Sequence, residues 1–213
     1  MLQAVDSARS GPYQRLAGWH SELTAFRRDL HAHPELGFEE RRTAGRVAEA
    51  LKLFGVDEVH TGIAKTGVVG VIHGASGPSK AASKSAVNCI GLRADMDALP
   101  MREENDFAWR STSQGLMHGC GHDGHTTMLL GAARHLAEHG SFSGTVQLVF
   151  QPAEEAGRDS GAQAMIADGL FERFPCDAIF GLHNHPGVAA GTFMFGSGPF
   201  MSASDTVNIT IHG

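Results

Sequence analysis

Apolar residues along this chain fall alternately into helical and extended spacings. Leu16, Trp19, Leu23, Phe26 and Leu30 recur at steps of three and four, the spacing of one face of a helix. Pro34 ends that helix, because the residue before a proline is driven out of the helical region. Phe38, Val47, Leu51 and Phe54 predict a second helix, closed by Gly55. Residues 67–73 read as a strand, residues 74–85 as a small, polar, exposed loop, and residues 87–92 as a second strand. A helix is expected over 126–139 with Gly140 as its stop, a buried strand over 145–150, a helix over 161–170 and a strand over 177–182. Strands alternating with helices predict a layered α/β fold, with a mostly parallel central sheet flanked by helices. Residues 205–211 alternate again, like the first strand of something new. The expected organisation is one domain over 1–203 and the opening strand of a second over 204–213.

Composition narrows the classes. At 213 residues, 42% hydrophobic and 19% charged, the chain has enough material for one sizeable core. Its net charge of −6 argues against a nucleic-acid or anionic-membrane partner. The first ten residues lack an apolar stretch, and no run of about 18 apolar residues exists, so neither a secretory signal nor a membrane span is expected. Three scattered cysteines do not make a disulfide framework, and a reducing, cytoplasmic compartment fits them best. Serine-hydrolase elbows, phosphate loops, His-Glu-x-x-His and paired Cys-x-x-Cys are all absent from the sequence.

The chemistry concentrates in residues 118–125, which read His-Gly-Cys-Gly-His-Asp-Gly-His. His118, Cys120, His122, Asp123 and His125 can each hold a metal, and the three glycines let the backbone aim several ligands at one point. Three more polar pairs stand at the ends of predicted apolar segments: Asp95 with Asp97, Glu154 with Glu155, and His183 with His185. Open α/β sheets bind ligands at that carboxyl edge. Thiolate, imidazole and carboxylate together suit zinc or a similar borderline divalent ion better than magnesium or calcium. Two adjacent carboxylates leave a strand in different directions, so one is free to bind the ion while the other takes a proton from water. This is the equipment of a hydrolase for an amide or ester bond.

Five ordered segments carry a family resemblance. They are residues 28–40 (Arg-Asp-Leu-His-Ala-His-Pro-Glu-Leu-Gly-Phe-Glu-Glu), 91–100 (Gly-Leu-Arg-Ala-Asp-Met-Asp-Ala-Leu-Pro), 117–125, 151–155 (Gln-Pro-Ala-Glu-Glu) and 181–186 (Gly-Leu-His-Asn-His-Pro). From about residue 15 onward the chain resembles the M20 metallopeptidase-like amidohydrolases, in the branch of hippurate hydrolases and indole-acetyl-amino-acid hydrolases. The resemblance implies a zinc-peptidase-like catalytic domain. It also implies Cys120, His122, Glu155 and His183 as metal ligands and Glu154 as the general base. Asp95 and Asp97 are implied to steady ligands from behind, and Asp123 either does the same or caps a helix. One or two divalent ions are implied, Zn²⁺ or Mn²⁺, with Ni²⁺ or Co²⁺ as alternatives. The implied substrate is a small N-acyl amino acid, split to a carboxylic acid and an amino acid, and the family's full-length members imply a homodimer. Family members are nearly twice this length, which implies that the chain is a fragment ending at the first strand of a lid domain, with a further histidine ligand beyond it. The alternative expectations are an inactive metal-binding fragment or pseudo-enzyme, and a carboxypeptidase or deacetylase of the same superfamily.

The remaining candidates have simpler readings. His118 and His125 are expected to hydrogen-bond within their loop, and His185 to be a loop residue. His31 and His33 are expected to pack and cap a helix end. Cys89 reads as a small buried hydrophobe, Cys176 has no assigned role, and residues 39–42 (Glu-Glu-Arg-Arg) read as a solvated helix face.

Overall fold

The computed structural model describes residues 11–75, 88–201, 207 and 209–212. The N-terminal helix of the sequence reading is two helices, α1 (Pro12–Gly18) and α2 (His20–Ala32), separated at Trp19. Helix α3 (Arg41–Leu53) follows, starting later than expected because Phe38 sits at φ 64°, outside the helical region. The hairpin β1 (Glu58–Ile63) and β2 (Gly67–His73) comes next, then β3 (Cys89–Asp95), helix α4 (His122–His139) and β4 (Thr145–Gln151). A short 3₁₀ segment (Glu154–Asp159), α5 (Gly161–Ala167), α6 (Leu170–Arg173) and β5 (Ala178–Gly181) complete the order. The single helix expected over 161–170 breaks at Gly169, which takes φ 80°. Most of the expected exposed loop, residues 76–85, lies outside the described residues, as does Val87. Of residues 205–211, positions 205, 206 and 208 are also outside them; Val207 and 209–212 are exposed and carry no strand assignment. Among the described residues no helix is long and apolar enough to cross a membrane.

The layered α/β architecture is as expected, and the sheet within it is mixed. Its order is β1-β2-β4-β3-β5. β3 runs parallel to β4 and β5, whereas β1–β2 and β2–β4 are antiparallel. The β1–β2 pairing follows from connection length. Only three residues separate β1 from β2, and a tight turn can join only antiparallel neighbours. Ala64 and Lys65 make that turn with positive φ. β1 has no counterpart in the sequence reading, because Glu58, His60, Thr61 and Gly62 leave it little apolar signal. The parallel half is reached by long crossovers through α4 and through α5 and α6.

Both faces of the central strands are covered. On one face Val47, Leu51, Val68, Leu130, Leu148 and Phe150 pack α3 and α4 onto the sheet. On the other, Ile63, Val69, Val71, Val149, Met165 and Leu170 meet α5 and α6. Alternate residues of β2 and β4 serve opposite cores, so β2 reads as a continuous apolar run. The parallel register sets Asp95 opposite Gln151 and Arg93 opposite Gly181. The ends of β3, β4 and β5 therefore open on one edge.

Residues 39–42 are only in part the solvated face that their charge predicts: Glu39 and Arg41 are exposed, and the other two are not. Glu40 is fully buried. Its Oε1 accepts from the Ala153 backbone N–H at 2.8 Å, and its Oε2 accepts from Thr66 Oγ1 at 2.5 Å. Ala153 is held at φ 47°, and its N–H needs a buried acceptor. Glu40 thus fixes the turn that carries Glu154 and Glu155. Arg42 pairs with Asp29 through Nη2 at 2.8 and 3.0 Å.

Candidate metal centre

The site is assembled where β3, β4 and β5 end and α4 begins. Helix α4 starts at His122, four residues earlier than expected, and the ligand-rich loop is partly its first turn. Gly121 makes this start possible. It takes φ 93°, and a Cβ there would lie 2.2 Å from Asn184 Oδ1. Only glycine satisfies both conditions without strain.

His122 is the centre of the arrangement. It is fully buried, and its Nδ1–H donates to the Asp97 carbonyl at 2.9 Å and to Asp97 Oδ1 at 3.1 Å. Its Nε2 lone pair is left without a hydrogen-bond partner. That atom lies 3.5 Å from Asp95 Oδ2, 3.8 Å from Glu154 Oε2 and 3.9 Å from Glu155 Oε1. Across the site, His183 Nε2 lies 3.5 Å from Cys120 Sγ, while its Nδ1–H donates to the Asn184 carbonyl at 2.6 Å. Three groups have ligand atoms within 4.8 Å of one another: Cys120, His122 and His183; His122, Glu154 and Glu155; and Asp95, His122 and His125. Two donors on one tetrahedral ion stand roughly 3.5 Å apart, which matches these separations.

Asp97 serves two of these residues at once: besides His122, its Oδ2 accepts from the Glu155 backbone N–H at 2.9 Å. Asp95 is gripped by Arg93 Nη1 at 2.6 Å and by His125 Nδ1 at 2.6 Å. Asp123 does neither thing expected of it. A step of one residue turns about 100° around a helix, so Asp123 faces α2 rather than the cluster beside His122. Its Oδ2 accepts from Arg27 Nε at 3.1 Å and from His31 Nδ1 at 3.0 Å, and α4 has no side-chain N-cap.

The electrostatics fit a cation. Burial pushes the Cys120 thiol up, and Glu155, Glu154 and Asp95 add to the effect, taking it to about 12. Burial works against Asp95 as well, but the His125 hydrogen bond and the charges of Arg93 and His122 outweigh it and hold its pKa at about 2. For His122, burial lowers the pKa, yet the Asp97 hydrogen bond and the Asp95 and Asp97 charges raise it overall. Three carboxylates, Asp95, Glu154 and Glu155, around the Cys120 thiol and the buried His122 Nε2 make a negative site. A divalent ion would neutralise it, displace the thiol proton and give His122 Nε2 the partner it lacks.

The other histidines divide clearly. His185 stays on an exposed loop, bonded to the Pro186 carbonyl. His31 bridges Asp123 and Glu103, each at 3.0 Å, and His33 donates to the Asp29 carbonyl at 2.8 Å. His118 is buried with neither ring nitrogen partnered, and burial lowers its pKa to about 4. His125 instead joins the cluster, and Asn184, unremarked in the sequence, is its partner. The signal for His125 was its i,i+3 spacing from His122 on one helix face. Cys89, expected buried, is only half-buried, because it opens β3 at the sheet's opposite edge.

The fold and this cluster of donors describe a candidate metal centre at the carboxyl edge of an α/β sheet. The family model for peptidase family M20/M25/M40 matches residues 91–212, and the chain belongs to that family. It is 47% identical over 192 residues to the hippurate hydrolase of Campylobacter jejuni, a match covering 90% of this chain and 47% of that protein. It is 42% identical over 200 residues to the N-acetyl-L-cysteine deacetylase of Bacillus subtilis, covering 93% and 44%. The crystal structure of a dinuclear metal-binding M20 peptidase from Bacillus subtilis superposes with a TM-score of 0.69 at 36% identity, over 80% of this chain and 44% of that one. The chain thus spans about half the length of the curated relatives it matches.

Proposed function

We propose that this chain carries the metal-binding half of an amidohydrolase that splits N-acyl amino acids of the hippurate type into a carboxylic acid and an amino acid. The observation that carries the reading is the buried, unpartnered Nε2 of His122, facing Asp95, Glu154 and Glu155 at one sheet edge. In this reading Cys120, His122, Glu155 and His183 hold one or two divalent ions, zinc or manganese first, nickel or cobalt as alternatives. Such an ion supplies Lewis acidity, lowering the pKa of water and polarising an amide carbonyl. Glu154, with a side chain 41% exposed, is accessible to solvent and substrate. Its carboxylate takes a proton from the attacking water and gives it to the departing amide nitrogen as the C–N bond breaks. Asp97 keeps His122 in the tautomer that presents Nε2, and Asp95 holds His125.

The test is hydrolysis of hippurate by the metal-loaded protein and its Glu154→Gln variant. Removing the base lowers kcat by about 10²–10⁴-fold. Undiminished turnover in that variant overturns the role given to Glu154. Similarity to a deacetylase favours a second reading, in which the acyl group is acetyl. A panel of benzoyl-, acetyl- and aminoacyl-amino acids separates the two, and a dipeptide preference points to a carboxypeptidase. Stoichiometric metal with no turnover on any of them makes the chain a metal-binding unit only.

A further inference from the structure

His183 is an exposed residue after β5, an edge strand paired only with β3 among the described residues. Ile179, Phe180 and Leu182 on that strand and just beyond it are 44%, 58% and 48% exposed, so its own packing does little to fix the loop. The tether comes from α4. His125 is buried, and its Nδ1–H donates to Asp95 Oδ1 at 2.6 Å. The carboxylate fixes the tautomer, leaving Nε2 as an acceptor. That atom receives the Asn184 backbone N–H at 3.1 Å and lies 2.5 Å from Asn184 Oδ1; turning the amide over about its last bond puts the Asn184 NH₂ there as a second donor. The Asn184 side chain in turn rests in the space that Gly121 leaves by having no Cβ. The His125 ring meets the His183 ring edge-on, with centroids 4.5 Å apart.

We propose that His125 is a positioning residue: with Asp95 behind it, it clasps Asn184 and so holds His183 beside Cys120. This rests on the metal-centre reading of Cys120, His122 and His183. It assigns His125 a task distinct from ligation: its two nitrogens are already engaged, one by Asp95 and one by Asn184.

The test uses the metal-free full chain. Co²⁺ is titrated against a competing chelator, followed by thiolate-to-cobalt charge-transfer absorption, with thermal melts as a check on folding. His125→Phe weakens Co²⁺ binding by about 10–100-fold, the usual effect of removing a residue that orients a ligand. His125→Gln, whose side-chain oxygen reaches toward the same acceptor position, recovers part of the loss. In a His183→Ala background, adding His125→Phe changes affinity by less than about twofold, because the ligand it serves is already gone. Losses that simply add, or an unchanged affinity in His125→Phe, overturn the proposal. Hydrogen exchange gives a readout without metal: the Asn184 amide exchanges faster in His125→Phe, which loses the acceptor, and not in His183→Ala. Protection that survives His125→Phe refutes the clasp. If the unsubstituted chain takes up no Co²⁺, the metal-centre reading fails, while the exchange experiment still decides whether His125 holds the loop. Should His125→Phe fail to fold, His125→Gln and its double variant with His183→Ala carry the same cycle.

Discussion

Asp97→Asn tests the core of the site most sharply. The residue is 2% exposed, and its side chain accepts two hydrogen bonds from two different elements, the His122 imidazole and the Glu155 peptide. Asparagine has the same shape but only one acceptor oxygen, so its NH₂ group must face a donor in either orientation. If the amide opposes His122, the ring is pressed toward the tautomer that protonates Nε2, the atom left free for the ion. The Asp97 carbonyl, also bonded to Nδ1, resists that change. If the amide opposes Glu155, the peptide carrying that carboxylate loses its anchor. Either conflict leaves a buried donor unmet, which costs about 1–3 kcal/mol. For a domain of this size that corresponds to a fall in Tm of about 2–12 °C. Metal affinity should drop by about 10–100-fold, equivalent to roughly 1.4–2.7 kcal/mol. Chelator-competition titration with Zn²⁺ and a metal-free thermal melt measure the two effects separately. An Asp97→Asn protein that binds Zn²⁺ within about twofold of the unsubstituted one would show that Asp97 does not set the His122 tautomer.

Two further outcomes follow from charge and linkage. Burial raises the pKa of Asp123, but the His31 hydrogen bond and the charges of His118, Arg27 and His31 outweigh it, holding the group at about 2 against 3.8 unfolded. The unfolded chain therefore takes up this proton first as pH falls. The stabilisation is full above pH 3.8 and is lost between 3.8 and about 2, a contribution of about 2 kcal/mol. Denaturant melts from pH 6 to 2 should show a shallower acid loss in Asp123→Asn, and an unchanged slope refutes the linkage. Stripping metal with a chelator should lower the Tm of a loaded sample. With free ion at 100 times its Kd the lost stabilisation is about 2.7 kcal/mol, and a chelator-insensitive melt argues against a bound ion.

Strand-end logic made much of the site legible. Asp95, Glu154, Glu155 and His183 follow apolar runs, and parallel register then brings those run ends to one edge. The glycine-rich loop was legible because so many ligand-type side chains in eight residues have no packing explanation. What stayed hidden depends on direction rather than composition. Asp123 and His122 are neighbours in sequence, yet a helix turns their side chains apart, and α4 starts at His122, four residues before the apolar periodicity begins. Glu40 looked like one more surface charge, because nothing local announces that Ala153 and Thr66 will converge on it. Asn184 carries no chemical signature of its own; its backbone N–H matters only through the fold. The β1–β2 hairpin lay outside the sequence signal because β1 is polar, and its pairing is dictated by the brevity of a turn.

The dispersal of the donors along the chain has a consequence for how the protein must be handled. Cys120 and His183 are 63 positions apart, and the carboxylates come from two further segments. Their convergence requires β3, β4 and β5 to have paired, which is a late event in a fold built on distant contacts. Residues 118–125 need no such event, since they already carry a thiol and three imidazoles within eight positions of an unfolded chain. A divalent ion present during refolding therefore meets a local chelator before the intended cage exists, and binding to the unfolded state erodes the stabilisation that native binding gives. Metal added after the chain has folded finds His122 already locked by Asp97. The order of addition, folding first and ion second, thus separates correctly loaded protein from a kinetic trap of the loop's own making.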